Sequence, residues 1–320
     1  MLSMSCRNLL VILALAALPV RAETDALKLD LTLGESYQQT IESHQTITQT
    51  IGANEQERTQ AMLVELRYEV KEKDPAGLMT CKVAFERLKT EAGNGVESTE
   101  YDSAAEGVSM PVIYKPYAGL IGQAFTASIT PLGRVREVKG MSEIIDAAVD
   151  TMDMAPEQKW QLAGIIQSQF GNEAMQKLIE QTLAVFPDET VAPGGAWSNE
   201  VETVGMAALR LKNTFTLDAI EDTAKITQTG ELLPGAEETI IDMSGFEMES
   251  KMSGTQTGTF VLDARTGWIL SSAATQKLSG EMTTTLTDPA TTKKRAIHIP
   301  MTIVTELRVS DPAAPTNPGQ

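Results

Sequence analysis

The sequence predicts an α+β protein in which two mainly antiparallel β sections surround a three-helix segment. Three observations predict it. Apolar residues alternate with polar ones at a spacing of two before residue 140, and again after residue 190. Between the two parts, over residues 141–186, the apolar spacing lengthens to three and four. Short breaks bearing Gly, Pro and Asp punctuate the alternating parts, as hairpins require.

Leu27, Leu29, Leu31 and Leu33 predict an opening strand, turned by Gly34 and Glu35. Tyr37, Ile41, Ile47 and Ile51 share the odd positions of a long segment, and Thr, Gln, Ser and Glu fill its other side. Threonine there suits a strand side that faces water. Residues 52–60 (GANEQERTQ) predict a polar loop. Met62, Val64, Leu66, Tyr68 and Val70 predict the next strand, and Asp74-Pro75-Ala76-Gly77 a turn. A strand with Met79, Cys81, Val83 and Phe85 follows, antiparallel to it. Residues 93–119 show no period and predict irregular chain. Phe125, Ala127 and Ile129, then Pro131-Leu132-Gly133, then Val135 and Val138, predict a hairpin.

Three helices come next. Met141, Ile144, Ile145, Ala148 and Met152 lie on one face, with Ser142 as the expected N-cap. Pro156 opens a second helix with Trp160, Ala163, Ile166 and Phe170 on its face. Asn172 is the expected cap of a third, which carries Met175, Leu178, Ile179, Leu183 and Phe186 and ends at Pro187. Strands then return over 197–204, 208–217, 224–230, 239–243, 249–262, 268–278, 282–286 and 297–307, with Asp263-Ala264-Arg265-Thr266-Gly267 as a tight turn. The expected organisation is a signal peptide (1–22), a first β section (23–140), a helical segment (141–190), a second β section (191–310) and a disordered tail (311–320). Each β section opens with Gly before an aromatic residue and later holds a similar hairpin. A diverged duplication and the generic likeness of antiparallel sheets both account for that.

Arg7, the apolar run from Leu9 to Leu18, Pro19 and the small residues Val20 and Ala22 form the layout of a secretory signal peptide cut after Ala22. The expected location is periplasmic or extracellular. A ten-residue run is half of what a spanning helix needs, so no membrane span is expected after cleavage; an uncleaved N-terminal anchor is the competing reading, against which Pro19 and the short run both argue. Cleavage removes Arg7 and Arg21 and no acid, which takes the net charge from −17 to −19. Such acidity favours solubility and disfavours nucleic acid as a partner. The one cysteine left, Cys81, has no internal partner and alternates with apolar residues, which predicts a buried side chain.

Catalytic patterns are missing. His44 and His298 each sit on the polar side of their strands, without the short ligand spacings of a zinc site. There is no GxSxG, SxxK, GxGxxG or P-loop pattern. At least two of Asp146, Asp150 and Asp153 can share a helix face, which reads as a solvated surface without a calcium loop. Glu237-Glu238 and Lys293-Lys294-Arg295 read as solvent loops. No catalytic residue, metal ligand or cofactor is expected.

The residual signal is methionine: thirteen of the fifteen follow the signal peptide. Methionine is flexible and polarizable and accommodates varied apolar ligands. On a curved sheet, Met243, Met282 and Met301 would line a cavity for an acyl chain; in an ordinary core they fill the gap between sheet and helices.

The signal peptide, the opening 27–37 segment, residues 125–140 (FTASITPLGRVREVKG) and residues 257–270 (TGTFVLDARTGWIL) resemble an uncharacterised class of secreted bacterial proteins, of the domain-of-unknown-function type. That resemblance implies no known activity and no site residues. The order of strands and helices is also similar to periplasmic lipoprotein carriers of the half-barrel type, a likeness of fold alone. Three functions follow as expectations. The first is an exported non-enzymatic protein with a binding or structural role in the periplasm or cell envelope, its partner an unknown protein or hydrophobic ligand. The second is a carrier of a lipid or other hydrophobic ligand in a curved-sheet cavity. The third is a hydrolase with an unrecognised carboxylate site.

Overall fold

The computed structural model describes residues 26–105, 114–203, 209–234, 240–243, 246–287 and 294–314. The expected signal peptide and most of the expected tail lie outside the described residues. The strands are β1 (Ser36–Ile51), β2 (Asn54–Lys73), β3 (Met79–Gly93), β4 (Ser98–Asp102), β5 (Ala124–Ile129), β6 (Val135–Lys139), β7 (Ala196–Glu202), β8 (Leu209–Ile220), β9 (Thr223–Pro234), β10 (Ile240–Met243), β11 (Phe246–Asp263), β12 (Ile269–Thr287) and β13 (Lys294–Ser310). The helices are α1 (Lys115–Ala118), α2 (Met141–Asp150), α3 (Pro156–Phe170) and α4 (Asn172–Leu183). The protein is thus mostly antiparallel β, with a few helices between the two β sections.

All the strands belong to one sheet, in the order β6-β5-β3-β2-β1-β13-β12-β11-β9-β8-β7, with β4 beside β3 and β10 beside β11. The two β sections meet along β1 and β13, from Thr40 opposite Ser310 to Gln49 opposite Met301. The two end strands, β6 and β7, both pack against α4. Gln176 of α4 donates to the carbonyl of Val135 at 3.0 Å. Lys177 of α4 pairs with Glu202 of β7 at 2.9 Å. Trp197 of β7 donates its indole N–H to the carbonyl of Val185 at 3.1 Å. The sheet therefore curls until its edges meet one helix, and neither edge is left as a bare ladder for another chain to extend.

The main core fills the end of this curl nearest the helices. Ile145, Val149, Ile166, Phe170, Met175, Ile179 and Leu183 pack there against Val64, Leu66, Phe85, Phe125 and Ile129. Cys81 is fully buried among them, and burial pushes its thiol up to about 12.

Several expectations need correction. Residues 27–32 belong to no strand, and Leu33 lies in a turn. Leu27, Leu29 and Leu31 are buried and Leu33 is 58% exposed. Leu29 N–H goes to the Pro131 carbonyl and Asp30 N–H to that of Thr266. Alternation reported an extended chain with one dry side, which a threaded segment satisfies without a partner strand. The 52–60 loop shrinks to Gly52 and Ala53, because Ile51 already faces Asn54. The strands run out past the core there, so both faces are wet and no alternation marks them. The irregular stretch 93–119 holds β4 and α1. Trp160 is 79% exposed rather than on the packed face of α3. Gly140, not Ser142, caps α2, and Asn172 caps across space: its Oδ1 accepts from Met141 N–H at 3.0 Å.

Candidate functional site

Inward side chains of the second β section change character away from the helices. Asn199, Asn213, Gln228, Gln256 and Gln276 occupy inner-face positions on β7, β8, β9, β11 and β12, followed by Thr305 on β13 and Gln45 on β1. Asn199 Nδ2 donates to the carbonyl of Ala184. Asn213 Nδ2 donates to Asn199 Oδ1 at 3.0 Å, and Gln228 Nε2 to Asn213 Oδ1 at 2.7 Å. Gln276 Nε2 donates to Gln256 Oε1 at 2.6 Å, and Gln45 Nε2 to Thr305 Oγ1 at 3.2 Å. This is a belt of amides across the inside of the sheet. Asn213, Gln228, Gln256 and Gln276 are all buried, so each bond exchanged water for a neighbour in a dry setting. Gln228 Oε1 has no partner among the described residues.

Beyond the belt lies a second, separate apolar cluster. Ile47, Val201, Leu209, Leu211, Leu232, Met252, Leu278 and Met301 are buried in it, and Met282 and Ile303 pack against it half-buried. Further out on the same face, Ile297 and Ile299 are half-buried and Ile51 is 41% exposed. Arg58, opposite Ile47 in the ladder, is exposed. The inner face thus passes from a closed core, through a polar belt, to a second apolar cluster that grades into exposed side chains. Two glycines mark a close crossing: an added Cβ would stand 1.9 Å from the Lys277 carbonyl oxygen at Gly254 and 2.0 Å from the Lys251 carbonyl oxygen at Gly280, so β11 and β12 approach more closely than side chains allow.

Two of the three methionines singled out from the sequence meet here, Met301 buried and Met282 beside it. Met243 lies on β10 opposite Phe246, and its side chain is outside the described residues. The belt was missed, although its signal is in the sequence: Gln228 and Gln256 stand at the parity of Ile226 and Leu232, and of Met252 and Phe260.

Reaction chemistry finds little to work with among the described residues. None of their aspartates or glutamates is buried, and no group of three His, Cys, Asp or Glu could hold a metal ion. Asp146, Asp150 and Asp153 are exposed. His298 meets Glu281 at 2.8 Å and Thr283 at 3.2 Å, through Nδ1 in both cases and in the open. His44 is exposed on the opposite face from the core. Arg87 holds Asp102 below the usual carboxylate range with two hydrogen bonds, a structural clasp between β3 and β4. No described helix is long and apolar enough to cross a membrane.

Residues 76–269, more than half of the chain, match a family of unknown function, DUF6263. The chain belongs to that family. No curated protein matches it. Among solved structures it is similar to lipovitellin, at 10% identity and a TM-score of 0.45 over 89% of this chain and 26% of that one. It therefore spans about a quarter of lipovitellin's length. A DUF1329 family protein from Desulfovibrio piger is similar at 8% identity and a TM-score of 0.16, over 88% of each chain. OccK5 (OpdH) from Pseudomonas aeruginosa is similar at 7% identity and a TM-score of 0.18, over 87% of this chain and 98% of that one.

Proposed function

We propose that this protein is exported and, without catalysing a reaction, holds an apolar ligand in the compartment beyond the amide belt. The observation that carries the reading is the second cluster itself. A protein that only needed a core would merge its apolar side chains; here a row of buried amides divides them. The outer cluster lies where the inner face becomes accessible, and its half-buried members Met282 and Ile303 can repack around a guest. The amides set a polar floor that stops an acyl chain from entering the main core. Export rests on the N-terminal pattern of residues 1–22.

Native mass spectrometry on protein extracted gently from the cell envelope tests it. The expected spectrum shows the chain starting at Glu23 with an apolar adduct. Titration with a fluorescent fatty acid such as cis-parinaric acid should saturate, and Met301→Glu should weaken it at least tenfold. A clean apo mass together with no saturable binding would leave only a role in contacts with other proteins.

A further inference from the structure

The second apolar cluster runs in register across the sheet. Ile47, Ile303, Leu278, Gly254 and Leu232 stand opposite one another on β1, β13, β12, β11 and β9, and the row continues to Val201 on β7. The amide belt is the next row along the same strands, two residues or about 7 Å away. At its other end the apolar row stops at Arg58 of β2, directly opposite Ile47. The change from a buried isoleucine to an exposed guanidinium thus takes one strand spacing, about 4.8 Å.

A hairpin tip that only had to stay wet would not need this arginine, because Glu55 and Glu57 of the same strand already point outward. The nearby Glu42, Glu91, Glu281 and Glu306 take the outer side as well. Beyond the belt, Arg58 is the only charged side chain at an inner-face ladder position among the described residues. Gln45 and Gln49, which flank Ile47, are tied to Thr305 and Gln56. Arg58 and its same-side neighbour Gln60 make no hydrogen bond or ion pair among the described residues, and Glu97 in the turn after β3 does not reach Arg58. The net charge of −17 acts on an approaching anion only weakly beyond about 8 Å in physiological salt, and the acids of these strands lie across the sheet. A guanidinium in this setting suits a carboxylate or phosphate, which it can hold with two parallel bonds. We propose that the ligand is an anionic amphiphile, with a long acyl chain lying along the row from Ile47 inward and a single carboxylate or phosphate head on Arg58 and Gln60. This assigns the head group of the apolar ligand proposed above and rests on that ligand being held there.

Fluorescence titration of the full chain tests this with cis-parinaric acid and with its methyl ester, which keeps the acyl chain and loses the charge. The acid should bind at least tenfold more tightly than the ester. Arg58→Gln should abolish that difference by weakening the acid alone, and Arg58→Lys should restore part of it. Arg58 is exposed, so both variants should fold, with an unchanged circular dichroism spectrum as the check. Oleate and oleoyl lysophosphatidate should displace the probe better than neutral monoolein; if only one of them does so, it identifies the head as carboxylate or phosphate. Met301→Glu should weaken acid and ester alike. Equal affinity for acid and ester, an acid affinity that Arg58→Gln leaves unchanged, or monoolein competing as well as the anions overturns the role of Arg58 and leaves the apolar compartment standing. No saturable binding of either probe overturns the compartment and this assignment with it.

Discussion

Arg134 Nη1 stands 3.0 Å from Glu180 Oε1 and also donates to the carbonyl of Glu200 at 2.9 Å. One side chain from the turn before β6 thus holds both α4 and β7. The two ends of an eleven-strand path, β6 and β7, are bridged directly at this point, and both also pack on α4. Replacing Arg134 by Met keeps the packing of its stem and removes both bonds. The expected loss is about 1–2 kcal/mol in urea denaturation, from one charge-assisted bond and one to a carbonyl. Hydrogen exchange should quicken in α4 and β7 and stay unchanged in β1 and β13. A uniform rise across the sheet would mean that Arg134 supports the fold generally rather than its closure.

Trp268 is the other closing element, at the turn end of the sheet. It is 2% exposed, with its ring 5.2 Å from that of Tyr37 and 5.4 Å from that of Tyr68, the latter edge-on at 70°. Gly267 before it has φ +70°, and an added Cβ would lie 2.2 Å from the Lys28 carbonyl oxygen, so the threaded 27–31 segment locks over the turn. Trp268 Nε1 has no partner among the described residues. Phenylalanine therefore sacrifices volume without orphaning an acceptor. Trp268→Phe should cost about 1–2 kcal/mol and Trp268→Ala about 3–5 kcal/mol, read from denaturant midpoints. Similar costs for the two would show that the ring packing is not what the site uses.

Asp102 gives the fold a dependence on acid. Its carboxylate takes hydrogen bonds from Arg87 Nη2 at 2.7 Å and Nε at 3.1 Å, and these hold its pKa below the ordinary value against the opposing effect of burial. A carboxylate with a depressed folded-state pKa stabilises fully above its unfolded value, about 3.9, and loses that contribution as pH falls through the folded value. Asp102→Asn should thus cost about 1 kcal/mol at pH 7. The gap between variant and parent should close on acidification below about pH 4. Denaturation at stepped pH measures it; a gap that persists at pH 2 would assign the loss to packing.

What could be read from the sequence follows what alternation measures, namely which side of an extended chain is dry. It located the hairpins around Gly77 and Gly133 and the turn at Asp263, because their residues select turn geometry directly. It could not tell the threaded 27–31 segment from a strand, since both bury every second side chain. It missed the outer half of β2, where water on both faces removes the pattern. The spacing places Trp160 inside, yet α3 packs mainly on α2 and α4 and reaches the sheet core through Ile166 and Phe170. Meeting of β1 with β13 depends on contacts some 260 residues apart, which no local pattern encodes. At the candidate site, Met282 and Met301 were visible by type. The amide belt was visible only as a break in apolar parity, and its meaning needed the neighbouring strands.

That belt makes the division of the interior testable. Gln276 Nε2 reaches Gln256 Oε1 at 2.6 Å, and the two residues are 9% and 5% exposed. Changing either one to Leu leaves the other amide buried with an unmet group, at a cost of about 1–3 kcal/mol. Changing both removes the need along with the bond and joins the two apolar clusters through added leucines. The double variant should be less destabilised than the two singles together, with a coupling of about 1 kcal/mol or more in a double-mutant cycle. It should also bind cis-parinaric acid differently, because the polar floor that stops an acyl chain at Gln256 and Gln276 is gone. Strict additivity would mean that the belt is a surface feature of the inner face and does not partition it.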